Sequence, residues 1–369
     1  MATDPVCIED FKKIAEAKLS KYVREYYNSG ANNEDTYRDN TDAFGRYKIR
    51  PKYMRDVSNR SMATTILGQR VDCPIGVSSV AMCRLAHPEG EVAVARACAR
   101  LGRCFTLSTS ATTGLEEIGE KVPDCLRWFQ IHILSDRNML TRLVRKAEDA
   151  GFSALALTVD SHVHGRRHAE MRNHFTLPAP YKLGVLEGLK SRDGMSDEER
   201  EGGWSKFVNK LFSSSATWDD LRWLKTITKL PVIAKGIVTG EGAREAVEAG
   251  ADAVWVSNHG GRELDCVPAT MDALREVVEA VGDRCEVYLD GGVRSGLDAL
   301  KAIAMGARAV FVGRPILWGL AHTGCEGAEK VLQILGDELN TGMALAGASK
   351  ISEISRDMVV HKSYYSSML

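Results

Sequence analysis

The segment Ser257–Arg262 carries the residues best suited to chemistry. It follows Ala253–Val256, an apolar run typical of a short buried strand, so His259 and Arg262 leave the carboxyl end of that strand. Histidine exchanges a proton near neutral pH, and a guanidinium can hold a carboxylate through two parallel hydrogen bonds. The pair predicts a site where a small organic acid loses a proton. A strand-to-loop turn with a structural histidine and arginine is the alternative.

Polar residues also end the other apolar runs of the chain. They are Ser79–Ala81, Ser108, Gln130 with His132, Thr158 with Asp160, Lys235, Asp290–Arg294 and Gly313–Arg314. The last two groups combine arginines with glycine backbone N–H groups, which predicts a phosphate site; a glycine pair that only eases a turn is the alternative. A lysine could stabilise negative charge on a reduced cofactor ring. Serine, threonine and glutamine could bind the polar edge of that ring.

Eight apolar, strand-like runs position these residues. The runs are Cys73–Ser79, Cys104–Ser108, Cys125–Ile133, Ala154–Asp160, Pro231–Gly236, Ala253–His259, Glu286–Gly292 and Ala309–Arg314. Amphipathic stretches follow most of them, such as Glu89–Arg100, Asn138–Ala150, Gly240–Ala249 and Gly296–Met305. This alternation predicts an α/β fold, a (β/α)8 TIM barrel with the polar residues on its carboxyl-end face. A doubly wound sheet is the alternative, but the first run lacks its glycine-rich dinucleotide turn.

We predict one domain, residues 1–369, with two additions to the barrel. Residues 1–70 are expected to form a helical N-terminal extension, since residues 7–47 show no strand pattern. Residues 161–215 form an insertion after the fourth strand, and its segment 191–200 is charged and poor in apolar residues. An insertion at that place hangs over the catalytic face. It could be a lid or a surface insertion without a role in function, and the sequence leaves both alternatives open.

The composition is that of a globular protein with no strong surface field. The chain has 369 residues, 44% hydrophobic and 26% charged, with a net charge of −1. Neither a nucleic acid nor a membrane is therefore expected as a partner. No apolar run approaches a membrane span, and the first residues lack the pattern of a secretory signal.

Cysteine and histidine spacing gives no metal or disulfide pattern. The nine cysteines are scattered, without a C-x-x-C pair, which is typical of reduced thiols. His162, His164 and His168 are close in sequence, but no carboxylate or cysteine accompanies them at ligand spacing. We expect a solvated loop there and no metal.

Six segments, in this order, resemble the FMN-dependent 2-hydroxy-acid oxidases, the family of glycolate oxidase. They are Tyr26–Ala31, Ala86–Gly90, Lys235-Gly236, Ser257–Gly260, Leu289–Arg294 and Phe311–Pro315, and the match runs from Ile8 to the C-terminal helix. Each segment alone is modest support for the resemblance, and their order makes it specific.

The resemblance implies that FMN lies across the barrel mouth. It assigns the flavin ring to Val80, Ala81, Ser108, Gln130, Thr158, Lys235 and Ser257, and the phosphate to Asp290, Gly292, Arg294, Gly313 and Arg314. His259 would be the base, with Asp160 stabilising its protonated form. Arg262 and Tyr26 would bind the substrate carboxylate, with Arg167 near the same pocket.

The implied reaction converts an (S)-2-hydroxy acid to a 2-oxo acid and passes the electrons to O2, giving H2O2. Ala81 favours an oxidase, since alanine is typical there of oxidases in this family. A dehydrogenase with another acceptor is one rival, and the chain lacks a membrane segment and a heme-attachment motif. A decayed FMN-binding protein is the other, and the retained His259, Arg262, Asp160, Lys235 and Tyr26 disfavour it.

Two substrate-side positions depart from the family. Ser110 stands where a tryptophan is usual, and His132 where a tyrosine is usual; His132 can also titrate. Both side chains are shorter, so we expect medium or long-chain or aromatic acids to be favoured over glycolate. The resemblance further implies a homotetramer. The tail Ser367-Met368-Leu369 is similar to a peroxisomal import signal, so a peroxisomal address and an import receptor as partner are expected.

Overall fold

The computed structural model describes residues 4–188 and 203–366. The strands are β1 (Tyr47–Ile49), β2 (Thr64–Ile66), β3 (Gln69–Val71), β4 (Ile75–Val77), β5 (Phe105–Ser108), β6 (Arg127–Ile131), β7 (Leu155–Thr158), β8 (Val232–Ile237), β9 (Ala253–Val256), β10 (Glu286–Leu289), β11 (Ala309–Val312) and β12 (Val359–His361). Strands β4 to β11 are parallel and close into an eight-stranded barrel. The (β/α)8 prediction is confirmed.

Helices surround the barrel. Their bounds are α1 (Ile8–Lys18), α2 (Lys21–Asn28), α3 (Asp35–Asp42), α4 (Gly90–Arg100), α5 (Leu115–Lys121), α6 (Arg137–Asp149), α7 (His168–Arg172), α8 (Gly203–Leu211), α9 (Trp218–Ile227), α10 (Gly240–Glu248), α11 (Thr270–Val281), α12 (Gly296–Ala304), α13 (Arg314–Thr323), α14 (Cys325–Ala346) and α15 (Ser363–Ser366). The side chains of Thr239 and Ser295 cap α10 and α12 by accepting backbone N–H bonds. Such caps fix where each helix begins relative to the strand before it.

The barrel interior is aromatic. Trp128, Trp255, Tyr288 and Phe311 are buried in one cluster, and the Trp255 and Phe311 ring centroids lie 4.2 Å apart. Ile66 of β2 and Val71 of β3 belong to the same cluster, so the β2–β3 hairpin closes the amino end of the barrel. Only the carboxyl end is left for a ligand.

The N-terminal extension is only partly helical, and the expectation of a helical segment over 1–70 is wrong in its second half. Helices and a 3-10 turn reach Arg46; β1 then pairs antiparallel with β12 near the C-terminus, and β2 pairs with β3. These strands have three residues each, too few for an alternating pattern to be visible in the sequence.

The insertion after β7 contributes α7, a 3-10 turn at Gly184–Leu186, and α8. The charged segment 191–200 and the tail Ser367–Leu369 lie outside the described residues. Within the described ranges, no helix combines the length and apolar character needed to cross a bilayer.

Two groups of side chains contain residue types that can bind metals. Asp35, Asp265 and Cys266 bring ligand atoms together, but the Asp265 carboxylate accepts the backbone N–H groups of Asn33 and Thr36 at the start of α3. Of the three clustered histidines, His162 is exposed, whereas the side chain of His164 is only 4% exposed. The expectation of a solvated loop is therefore wrong for His164, because α8 packs over it.

Candidate functional site

One large cavity opens at the carboxyl end of the barrel, with a volume of about 1100 Å³ including its mouth. Most of the predicted site residues line it: Tyr26, Val80, Ala81, Ser108, Ser110, Gln130, His132, Arg167, Lys235, His259, Arg262, Asp290, Gly292, Arg294, Gly313 and Arg314. Asp160, Thr158 and Ser257 are not among the lining residues and lie behind them. The strand ends therefore converge on one place, as the barrel topology requires.

His259 stands at the centre of this cavity in a strained backbone conformation. Its φ is +57°, and Gly260 and Gly261 follow with positive φ, so the chain turns sharply after β9. The Nδ1 atom of His259 lies 3.3 Å from Oδ1 of Asp160. A carboxylate is only an acceptor, so Nδ1 carries the proton and Nε2 is left to accept one.

The Asp160 carboxyl stays ionised in this setting. Burial raises its pKa, but the charges of His259 and Lys235 and the hydrogen bond from His259 outweigh burial, and the pKa is lower than its ordinary value. Its Oδ2 atom is buried without a hydrogen bond. Asp160 is therefore an acid held as an anion against the imidazole, which suits a partner for a protonated His259.

Arg262 is held rigidly by backbone carbonyls. Its Nη1 donates to the carbonyl oxygens of Tyr26 and Ser29, both at 2.9 Å, and its Nη2 pairs with Oε1 of Glu170 at 2.9 Å. The guanidinium lies over the Tyr26 ring, 5.2 Å from its centroid. Burial raises the pKa of Tyr26 to about 12, so its hydroxyl keeps its proton. The tyrosine and the arginine present donors to one part of the cavity.

Arg167 lies beside Arg262 and is already committed to other partners. Its Nε donates to the Arg262 carbonyl at 2.9 Å, Nη1 pairs with Glu170 at 3.0 Å, and Nη2 pairs with Glu263 at 2.6 Å. These bonds fix the backbone that carries Arg262. Sequence reasoning missed both carboxylates, although Glu170 is three residues after Arg167 and Glu263 directly follows Arg262.

Gln130 organises the polar edge of the cavity. Its Oε1 accepts from Ser108 Oγ at 3.2 Å, and its Nε2 donates to Thr158 Oγ1 at 2.9 Å and to His132 Nδ1 at 3.1 Å. Nδ1 of His132 is thus an acceptor, and its Nε2 carries the proton. Thr158 does not line the cavity, and it supports the cavity wall through its hydrogen bond to Gln130.

His132 is a neutral residue, not a titrating one. Burial, followed by the charges of His259 and Lys235, lowers its pKa to about 3. The expectation that His132 titrates near neutral pH is therefore wrong. Its ring stacks on Phe212, with centroids 3.8 Å apart, so the insertion fixes its orientation.

Lys235 sits in a buried polar network. Its Nζ lies 3.1 Å from Ser257 Oγ and 3.2 Å from Oδ2 of Asp290, and the same carboxylate accepts from Ser257 and Ser78. Two expectations change as a result. Asp290 was assigned to the phosphate, but its side chain balances the lysine charge and would repel a phosphate. Ser257 was assigned to the flavin ring, but it supports Lys235 from behind the cavity wall.

Arg294 and Arg314 form a cationic end of the cavity that lacks acidic partners. Neither has a carboxylate within ion-pair distance in the described part of the chain. Arg314 instead donates to the carbonyls of Tyr27, Gly260 and Ser29, at 2.9 to 3.0 Å, and burial lowers its pKa to about 9. Burial also lowers the pKa of Arg294. Two desolvated cations are stabilised by an anion placed between them.

The backbone conformation at Gly291 and Gly292 also favours an anion at the arginine end of the cavity. Gly292 has φ +83°, and a Cβ there would lie 1.9 Å from the Asn40 carbonyl oxygen, so only glycine fits. Gly291 also has positive φ, +90°. The turn and the two arginines line the same cavity, and arginines beside a glycine turn are a combination that binds phosphate in barrel enzymes. The residues present therefore fit a flavin cofactor with a phosphate: Lys235 and Gln130 would contact its ring, and the two arginines would hold its phosphate.

The insertion lies over the cavity, as its place after the fourth strand predicted, and supplies four lining residues that were not assigned from the sequence. They are Trp204 and Val208 of α8, Phe212 and His164. Trp204 and Val208 are one helical turn apart, a spacing that marks one face of a helix. The sequence did not identify this face as the one that lines the cavity.

Comparison with known proteins identifies the family and the fold. The family model of FMN-dependent dehydrogenases matches residues 15–361. The chain is 46% identical to 2-hydroxyacid oxidase 1 of Homo sapiens over 357 residues, 96% of each chain. It is 46% identical to glycolate oxidase of Spinacia oleracea over 352 residues, 95% of each chain. The crystal structure of a mandelate oxidase, 38% identical, superimposes with a TM-score of 0.88 and covers 95% of this chain and 97% of that one.

Proposed function

This chain belongs to the family of FMN-dependent dehydrogenases, and we propose that it oxidises (S)-2-hydroxy acids larger than glycolate to 2-oxo acids, with O2 as acceptor and H2O2 as product. One observation carries the proposal. The His259–Asp160 pair and the Arg262 guanidinium open on a single cavity, which Arg294 and Arg314 also line, two arginines without a carboxylate partner among the described residues. A proton acceptor, a carboxylate anchor and a phosphate site thus share one space.

The roles of the residues follow from this arrangement. FMN, when bound, supplies the ring that takes two electrons from the substrate and gives them to O2. Arg262 holds the substrate carboxylate, with the Tyr26 hydroxyl as a second donor. His259 Nε2 accepts the proton of the 2-hydroxyl group as the α-carbon gives up its hydrogen. Asp160 stabilises the resulting imidazolium, at 3.3 Å from Nδ1.

His132 and Lys235 complete the electrostatics. The Nε2–H of His132 is an uncharged donor on the cavity wall, and we assign it to the reacting oxygen of the substrate. Because Gln130 fixes its tautomer, it cannot take the proton in place of His259. Lys235 supplies a positive charge where negative charge develops on the cofactor.

The residues on the substrate side support a larger acid. Ser110 and His132 are shorter than the residues usual at these positions, and the apolar side chains of Trp204, Val208 and Phe212 line the same cavity. Each buried methylene contributes about 0.8 kcal/mol, so four of them would add a few kcal/mol to the binding of a longer acid. Glycolate has no side chain and gains nothing from this surface.

The test is a steady-state panel with the purified, FMN-loaded protein. Glycolate, lactate, (S)-2-hydroxyoctanoate and (S)-mandelate are compared at fixed pH and O2, with peroxide measured by a peroxidase-coupled assay. We expect stoichiometric peroxide and kcat/KM at least tenfold higher for a larger acid than for glycolate. Flavin reduction without peroxide in air would refute O2 as acceptor. The highest kcat/KM with glycolate would refute the size preference.

A further inference from the structure

The cavity wall formed by the insertion contains a hydrogen-bonding atom without a partner. The side chain of His164 is 4% exposed, the residue lines the cavity, and its Nε2 makes no hydrogen bond. Buried polar atoms are nearly always paired in folded proteins. An unpaired one in the wall of a ligand cavity indicates that the ligand supplies the partner.

The position of His164 is fixed from behind. Its backbone N–H donates to Asn209 Oδ1 at 2.7 Å, and its Nδ1 lies 3.0 Å from Ser205 Oγ, both on α8. Helix α8 therefore holds the imidazole with Nδ1 hydrogen-bonded to Ser205 and Nε2 without a hydrogen bond. A flexible surface histidine would not be held in this way.

A second unpaired atom lies next to the first. Oε2 of Glu170 makes no hydrogen bond and is 3.9 Å from His164 Nε2, too far for a direct bond. The other oxygen of Glu170 is held by Arg167 and Arg262, at 3.0 and 2.9 Å. Glu170 is not among the residues that line the cavity, so its carboxylate acts on a group bonded to His164 through its negative charge.

This requirement selects one chemistry for the substrate side chain. A hydroxyl or amide group can bond to the imidazole nitrogen without adding a negative charge beside Glu170. An alkyl side chain leaves Nε2 of His164 unpaired, and a second carboxylate is repelled by Glu170. Ser110, which also lines the cavity, has a hydroxyl without a hydrogen bond to any described residue and adds a polar contact.

We propose that His164 makes the enzyme select, among larger 2-hydroxy acids, those whose side chain carries a neutral hydrogen-bonding group such as a second hydroxyl. This inference rests on the proposed function and narrows its substrate class. Trp204 of α8 and Phe212 bind the carbon part of the side chain, and His164 bonds to its polar part.

Matched pairs of acids test the preference in the FMN-loaded protein. The pairs are lactate and glycerate, 2-hydroxybutanoate and 2,4-dihydroxybutanoate, and 3-phenyllactate and 3-(4-hydroxyphenyl)lactate, with 2-hydroxyglutarate as the anionic probe. Anaerobic flavin reduction gives a rate and an apparent Kd for each. Calorimetry with pyruvate and hydroxypyruvate, and with phenylpyruvate and its 4-hydroxy derivative, measures binding without turnover.

In at least one pair, we expect the hydroxylated acid to be favoured more than tenfold over its partner, both in anaerobic flavin reduction and in calorimetric binding. We expect 2-hydroxyglutarate to be disfavoured. His164→Leu should abolish that preference, and His164→Asn, which keeps a donor, should retain part of it. His162→Leu, an exposed histidine on the same loop, is the matched control and should change nothing.

Three results would overturn the inference. They are a parent protein that shows no preference in any pair, a preference that is unchanged in His164→Leu, and preferred turnover of 2-hydroxyglutarate. The parent result decides even if His164→Leu does not fold. If no acid reduces the flavin, the proposed function fails instead, and calorimetry still tests the preference.

Discussion

Replacing Asp160 by asparagine isolates the electrostatic part of the proposed mechanism. The change keeps the shape of the side chain but removes the charge that faces His259 at 3.3 Å. A hydrogen bond to a charged group is worth about 1.5–3 kcal/mol, and the side chains here are 27% and 15% exposed, which weakens the Coulomb part. Because the carboxylate stabilises the imidazolium more than the neutral imidazole, removing its charge affects the rate more than the binding of substrate.

We therefore expect Asp160→Asn to slow anaerobic flavin reduction by about 10- to 150-fold, the range that 1.5–3 kcal/mol corresponds to. FMN content and the apparent Kd of the acid should stay near those of the parent. Stopped-flow absorbance of the flavin with saturating (S)-2-hydroxyoctanoate measures both values. Asp56→Asn, at an exposed carboxylate bonded to Ser58, is the control. A reduction rate within threefold of the parent would contradict the assigned role of Asp160.

Three further perturbations test other parts of the account. Arg314→Gln should weaken FMN binding at least tenfold, while Arg308→Gln, at a half-buried arginine that does not line the cavity, should leave it unchanged; fluorescence titration of the apoprotein measures both. Ser110→Trp should lower kcat/KM for 2-hydroxyoctanoate and mandelate and spare lactate, and equal losses for all acids would count against the size argument. The pKa of His132 falls from 6.5 to about 3 on folding, so between these pH values the unfolded state binds more protons than the folded state. The free energy of unfolding therefore decreases as the pH falls through this range. The unfolding free energy of the parent relative to His132→Tyr should then decrease by about 1.4 kcal/mol per pH unit below pH 6, and a pH-independent difference in denaturant titrations would refute this.

The barrel was predictable because its strands are buried on both faces. Runs such as Ala253–Val256 are continuously apolar and end in polar residues, so the strand and its functional end are visible together. The β1–β12 and β2–β3 pairs were not predictable, because three-residue strands depend on partners that are far away in the sequence or lie in a tight hairpin.

The candidate site was predictable where one strand end supplies the residue. His259, Arg262 and Lys235 belong to this group, and the cavity brings them together. Contacts that depend on packing between separate segments were not visible. The Arg167–Glu263 pair joins the insertion to the loop after β9, and the reversal of expectation for His132 follows from burial under Phe212.

The wall built from α8 belongs to the same class of features. Its residues lie in an insertion whose placement over the barrel is set by tertiary contacts such as that between Ser205 and His164. The position of the insertion after the fourth strand placed it over the catalytic face, but the sequence did not show that Trp204 and Val208 are the side chains that line the cavity.

The most direct measurement of the central claim is anaerobic flavin reduction by the two enantiomers of one acid in the parent and in His259→Gln. The account predicts rapid bleaching of the parent by (S)-2-hydroxyoctanoate, little with the (R)-enantiomer, and a loss of about 10²–10⁴-fold in the variant, which should still bind FMN. Near-normal bleaching in His259→Gln, or equal rates with both enantiomers, would show that His259 and Arg262 do not form the catalytic centre.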